Sequence, residues 1–255
     1  MTDAGAVFGA GFQFLTYCAS NCSVTGSYVT TSVGYQMTGL CTGDGSTIYA
    51  TGQDTLGNQV GTLYRFDPVA QKWSQLFADT QTTTNLGCWV DPNGVVYTAA
   101  YAAVSRYDSV SQALTKETLS SFPAGFPLNN QQNEALSAIW GYGSTVFAAG
   151  NSRLIFRRNG TGGWDWVFQD PNNSPTGSNF TAMAGSGAEA YAAGDSVLSW
   201  NVARYYDGGW AIDHSAGATG LNGVGVTNIW SRSANEYYAV GAISGGNAVL
   251  FSGTR

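Results

Sequence analysis

The chain has 255 residues, 44% hydrophobic and 13% aromatic but only 10% charged, against roughly 25% charged in an ordinary soluble domain. Regularly spaced aromatic residues exclude a disordered chain, and a net charge of −6 with singly scattered Lys and Arg leaves no patch to neutralise phosphates, so nucleic acid is not an expected partner. No run reaches the roughly 20 apolar residues of a membrane-spanning helix, so membrane insertion is not expected, and the first residues carry no signal peptide, as in a mature secreted protein.

From the N-terminus, Ala6-Val-Phe-Gly-Ala-Gly-Phe-Gln-Phe-Leu15 reads as a strand, followed by Cys18 and Cys22. Beyond Tyr35 one unit recurs. Its marker is the aromatic of Ile48-Tyr49-Ala-Thr-Gly52, which returns at Tyr97, Phe147, Tyr191 and Tyr238, at intervals of 48, 50, 44 and 47. An inner apolar run precedes each marker: Met37–Cys41, Leu86–Trp89, Leu136–Trp140, Phe180–Met183 and Val226–Trp230. A third strand follows, as in Leu63-Tyr-Arg65-Phe-Asp67 or Val202-Ala-Arg204, and a fourth opens at Trp73, Trp164 or Trp210. Apolar and small residues alternate within each run, and Gly, Asn or Pro stops it.

Four strands in about 47 residues is the pattern of a β-propeller blade. The expected fold is therefore all-β: a single domain over 1–255, with blades at 35–78, 79–120, 121–168, 169–214 and 215–255. The last unit stops after its third strand, so residues 1–17 are expected to close the ring as its missing outer strand. Six blades is the alternative, because Val7-Phe-Gly-Ala-Gly11 is like Val146-Phe-Ala-Ala-Gly150.

Arg65-Phe-Asp-Pro-Val-Ala-Gln-Lys-Trp73 resembles the third-to-fourth strand turn of kelch repeats. Ile139-Trp-Gly, Val146-Phe-Ala-Ala-Gly150 and Arg158-Asn-Gly together resemble the degenerate repeats of secreted and surface-anchored bacterial propellers. That resemblance implies the propeller fold, export to the cell surface or beyond, and a binding scaffold in which the repeat residues carry the fold.

The five inner runs hold no acidic residue, whereas a propeller glycosidase needs two carboxylates facing one glycosidic bond. No catalytic residue is therefore assigned, and an enzyme is not expected. Asp67-Pro and Asp91-Pro-Asn-Gly94 read as turn chemistry, and the lone His214 as a rim residue. Arg65, Arg106, Arg157 and Arg204 recur at one position and are expected to pair with nearby acids or cap turns. Trp89, Trp140 and Trp230 are expected as wedges between blades. No cofactor or metal is expected, the only weak candidates being loops near Asp44 and Asp195. The Asn-x-Ser/Thr sites at Asn21, Asn159, Asn172 and Asn179 are expected by chance in so Asn- and Thr-rich a chain.

Departures from the repeat are the expected binding site. The second-to-third strand connections carry Asp54 and Asn58 in the first unit, Tyr101 in the second, and Asp195 and Trp200 in the fourth; Phe126 and Asn130 lie in the loop before the third unit. Aromatic rings among amides and carboxylates suit a pyranose, whose apolar face stacks while its hydroxyls bond. The expected partner is a glycan or an extracellular protein, with self-association as a structural subunit the alternative. Cys41 and Cys88 stand one repeat apart on neighbouring inner runs and are expected to pair, leaving Cys18 with Cys22; that points to an oxidising, extracellular location.

Overall fold

The computed structural model describes residues 6–19, 22, 28–43, 45–54, 60–79, 86–126, 134–171, 179–195, 200–215, 224–243 and 248–254. All regular structure among them is antiparallel strand, in five sheets that follow one another along the chain, and the fold class is the five-bladed β-propeller. The chain forms two compact units, Met1–Lys116 and Glu117–Arg255.

In the first unit, β1 (Val7–Cys18), β2 (Val29–Thr42), β3 (Ile48–Asp54), β4 (Gly61–Asp67) and β5 (Lys72–Asp79) make one sheet in chain order. A second sheet contains β6 (Cys88–Val90), β7 (Val95–Ala100), β8 (Ala103–Asp108) and β9 (Ala113–Thr118), whose last residues enter the second unit. The second unit holds β10 (Leu136–Tyr142), β11 (Thr145–Gly150), β12 (Leu154–Arg158) and β13 (Trp164–Gln169). After them come β14 (Asn179–Ser186), β15 (Glu189–Asp195), β16 (Trp200–Tyr206) and β17 (Gly209–Ser215), then β18 (Val224–Ser233), β19 (Glu236–Ile243) and β20 (Ala248–Thr254).

The recurring glycine after the marker strand has a steric cause. In four sheets the inner strand carries a bulge opposite it: Leu136 faces Gly150 and Ala138 faces Ala149, so Ser137 is the extra residue. Thr38, Thr181 and Thr227 fill the same place elsewhere. The bulge pushes a carbonyl of the inner chain towards the glycine. A Cβ at Gly150 would lie 1.9 Å from Ala135 O, and one at Gly194 would lie 1.7 Å from Asn179 O. The extra threonine turns its hydroxyl onto a marker-strand carbonyl, Thr38 to Thr51 O at 3.3 Å and Thr227 to Val240 O at 3.2 Å. The second sheet has Ala100 in place of the glycine; there Leu86 N donates to Ala99 O at 3.0 Å and Ala99 N to Gly87 O at 2.9 Å, so two residues of the inner chain again meet one of the marker strand.

Within each unit, successive sheets pack face to face. Phe147, Ala149 and Ile155 of the third sheet bury against Phe180, Ala192 and Ala203 of the fourth; Ala182, Tyr191, Ala193 and Val202 of the fourth bury against Val226, Ile229, Tyr237 and Ala239 of the fifth. Trp140 is a wedge as expected, since a Cβ at Gly185 would meet its Cζ2 at 2.3 Å. In the first unit Tyr49, Leu63, Val90, Val96 and Tyr107 form the corresponding layer, stapled by the Cys41–Cys88 disulfide. Cys18 and Cys22 form the second disulfide; the Cα separation is 5.7 Å in both. The expected pairing holds.

The N-terminal strand corrects the expectation placed on it. β1 pairs with the first half of β2, from Phe12 opposite Gln36 to Tyr17 opposite Val29, and so extends the first sheet; among the described residues the last sheet has three strands. Phe8 packs on Phe66 and Trp73 at centroid distances of 5.1 and 6.1 Å, covering that sheet's apolar face. The physical reason is proximity. β2 runs 14 residues, twice the length of β3, so its first half offers an edge to a strand only a short connection away. Closing a short loop costs less chain entropy than closing a ring through the whole molecule.

Candidate functional site

The second-to-third strand connections differ from sheet to sheet, as the sequence suggests. In the second sheet a two-residue turn, Tyr101–Ala102, leaves Tyr101 40% exposed, with Ala102 at φ +50°. In the third, Ser152 and Arg153 both take positive φ, 55° and 48°, the geometry of a tight hairpin turn usually filled by Asn and Gly. In the fourth, Asp195 and Trp200 face each other on the last rung between β15 and β16, which brings these two expected site residues together by backbone. Asp54 ends β3 opposite Tyr35. The side chains of Asp54, Asp195, Trp200 and His214, and all of Asp44, Asn58 and Asn130, lie outside the described residues.

Phe126 lies in the loop before the third sheet. It is half-buried and stacks on Phe122 at 5.4 Å, and Phe122 meets the buried Phe156 edge-on at 5.4 Å. Its ring anchors the loop to the third sheet.

Arg153, which sequence reasoning passed over, turns inward. Its Nη1 donates to Asp170 Oδ2 at 2.7 Å, and its carbonyl accepts from the Asp170 amide at 3.3 Å. Asn201 Nδ2 donates to the same carboxylate oxygen, and all three side chains are buried. Asn201 directly follows Trp200, so this network fixes one end of the connection that carries the expected site. The available signal was an arginine at a turn position that favours Asn or Gly. Glu134, just before β10, is also buried: its Oε1 has no partner among the described residues, and desolvation pushes its carboxyl up to about 9, so it is neutral at physiological pH.

Several other described acids have structural work. Asp67 accepts from the Val69 and Ala70 amides and Asp108 from those of Val110 and Ser111, and these amides hold both carboxyls below the usual range. Asp91 accepts from Asn93 and Val95, both at 2.8 Å. Arg158 forms a two-pronged pair with Glu117, which also accepts from the buried Trp164 Nε1 at 3.1 Å. Of the recurrent arginines, Arg204 pairs with Glu189 between the rings of Tyr191 and Tyr206, Arg106 lies 4.0 Å from Asp108, and Arg65 and Arg157 are exposed. No three His, Cys, Asp or Glu side chains converge on a metal position among the described residues. Asn159 spends its carbonyl oxygen on Thr161 and Gly163 within a turn.

Trp230 is 59% exposed and stacks on Tyr238 at 5.4 Å, beside Asn228, Val240 and Leu250 around a shallow hollow of about 500 Å³ on the last sheet.

No family model and no curated protein matches this chain. Solved structures do match its fold. It is similar to YCF48 bound to a D1 peptide, at 12% identity and a TM-score of 0.62 over 99% of this chain and 75% of that one. A putative 6-phosphogluconolactonase from Bacteroides uniformis gives 14% and 0.62 over 96% and 77%. The extracellular domain of a putative one-component system from B. thetaiotaomicron gives 12% and 0.67, covering 98% of this chain and 31% of that one. At such identities the likeness concerns the fold alone.

Proposed function

We propose that this protein is a non-enzymatic binding propeller, extracellular or displayed at a cell surface, that recognises a glycan or another extracellular protein through its loop-borne aromatic residues. The observation that carries this reading is the contrast between carboxylates and aromatics. Asp67, Asp91 and Asp108 are engaged in turns, Glu117, Asp170 and Glu189 in ion pairs, and Glu134 is buried and neutral, while Tyr101 stands out from a two-residue turn and Trp200 lies one residue from the buried Arg153–Asp170–Asn201 anchor. A ring held on a stiff scaffold loses little entropy on stacking against a sugar or a peptide. Trp200, Tyr101 and Asp195 are its leading contacts, with Asp54, Asn58 and Asn130 as hydrogen-bonding neighbours; Phe126 positions its loop. Two disulfides support the location, because such bonds persist in oxidising compartments. A structural neighbour that holds a peptide supports the binding role by analogy.

The test is affinity electrophoresis through gels cast with individual polysaccharides, with reducing-end analysis of the same mixtures. Retardation without new reducing ends is the expected result. New reducing ends from the purified protein would overturn the non-enzymatic reading.

A further inference from the structure

The fourth sheet fills the space between itself and a turn of the fifth with a cation. Arg204 pairs with Glu189, lies over the Tyr191 ring at 5.7 Å, and donates to Ala234 O at 3.2 Å and Asn235 Oδ1 at 3.3 Å in the turn between β18 and β19. Aligned by rung, the first sheet has Tyr49 at the station of Tyr191, Arg65 at that of Arg204 and Thr47 at that of Glu189. Thr47 is short and uncharged and cannot hold a guanidinium as Glu189 does, and Arg65 is exposed. Between these stations and the second sheet lies a cleft of about 290 Å³, lined by Gly43, Thr47 and Tyr49 on one side and by Asp91, Gly94 and Ser109 on the other. The cleft is rigid. The Cys41–Cys88 disulfide joins β2 and β6 just before the chain reaches Gly43 and Asp91, and a Cβ at Gly43 would meet Val90 Cγ1 at 3.0 Å. Asp91 Oδ1 accepts from the Asn93 and Val95 amides, both at 2.8 Å, which fixes the carboxylate and leaves Oδ2 to accept from a ligand.

We propose that this cleft binds a guanidinium cation, the arginine side chain of a partner chain, in the way that the fourth sheet binds its own Arg204. Three arguments favour that ligand. The repeat shows a guanidinium held at these stations by a carboxylate, turn acceptors and a tyrosine ring, and the cleft supplies each of them in Asp91, the Ser109 hydroxyl and Tyr49. A planar guanidinium bonds a carboxylate oxygen and a neighbouring hydroxyl at once. No Lys, Arg or His is among the described lining residues, so an anion finds no counter-charge, while the net charge of −6 draws cations in. The volume lies at the small end of ligand pockets, which run from roughly 300 to 1,000 Å³, and suits one side chain rather than a sugar chain. Within the first unit the cleft sits at the strand ends opposite the second-to-third strand connections, so its role is independent of what those loops bind.

NMR titration of the intact, isotope-labelled chain with N-acetyl-arginine amide up to about 20 mM tests it, beside N-acetyl-citrulline amide, the uncharged isostere. The arginine compound is expected to shift the Gly43 and Gly94 amides with a Kd of about 1 mM, and the citrulline compound to leave them in place. Asp91→Asn keeps the oxygen that the turn amides need and should weaken binding about tenfold by removing the charge. Thr47→Glu rebuilds the acid of the fourth sheet, draws Arg65 into the cleft and should abolish binding; adding Arg65→Ala should bring it back, tighter than in the wild type. An Arg-centred glycine pentapeptide that binds more tightly than free arginine supports a partner chain as the source of the cation, and the reverse order overturns that source in favour of a small molecule. A wild type silent at about 20 mM, citrulline binding equal to arginine, or binding indifferent to Asp91→Asn overturns the proposal. Trp200→Ala should leave arginine binding unchanged, so failure of the loop site and failure of this cleft are told apart.

Discussion

Removing the Cys41–Cys88 bond should cost far more stability than removing Cys18–Cys22, although the two have the same Cα separation of 5.7 Å. The difference lies in the loops they close, 47 residues against 4. The chain-entropy relation puts the long loop at about 4 kcal/mol and the short one at about 2 kcal/mol at 25 °C. The longer bond also joins inner strands of successive sheets, where Cys41 and Cys88 pack beside Tyr49, Val90 and Val96, so it holds the register of two sheets as well as a loop. The assay is urea unfolding of Cys41→Ala/Cys88→Ala and Cys18→Ala/Cys22→Ala beside the oxidised wild type, read as shifts in midpoint at constant slope. A midpoint loss about twice as large for the first pair supports the reasoning. Equal losses, or under about 1 kcal/mol for the first pair, would refute the assignment of a sheet-to-sheet staple.

Gly150→Ala should destabilise the third sheet by about 3 kcal/mol in chemical denaturation, because the new methyl would meet backbone at Ala135 O rather than a side chain that can swing away. Asp170→Ala should cost about 3–5 kcal/mol by leaving the buried Arg153 guanidinium without this carboxylate, while Arg153→Met with Asp170→Leu should recover most of the loss; thermal melts of the two variants beside the wild type decide it. Glu134 binds its proton more tightly folded than unfolded, so its contribution is complete below about pH 4.5 and is lost as pH rises towards 9, with a limiting slope of about 1.4 kcal/mol per pH unit. Glu134→Gln should flatten stability against pH across that window, and an unchanged slope would remove Glu134 from the account.

The repeat was legible because it is steric. A marker aromatic, an inner apolar run and a glycine must recur wherever a bulged inner strand presses a carbonyl onto its neighbour, and Gly150 and Gly194 do this at 1.9 and 1.7 Å. The cysteine pairing was legible for the same reason, since one repeat along the chain is one sheet across. The role of β1 was not. Its apolar alternation fits any open edge, and the choice fell to loop length and to the long first half of β2. Phe126 shows the limit for loops: composition marked an aromatic among amides, while its stacking on Phe122 depends on where the chain folds back. Arg153 and Asp170, 17 residues apart with no periodic relation, meet only because β12 and β13 form a hairpin between them.

The most direct test of the binding role is a broad glycan array probed with the wild type, Trp200→Ala and Tyr101→Ala side by side. The account predicts that the wild type binds a restricted set of glycans and that Trp200→Ala loses them, with Tyr101→Ala weakened or altered in preference. Binding that survives both substitutions unchanged would contradict it, and the loop-borne aromatics would no longer be the recognition surface.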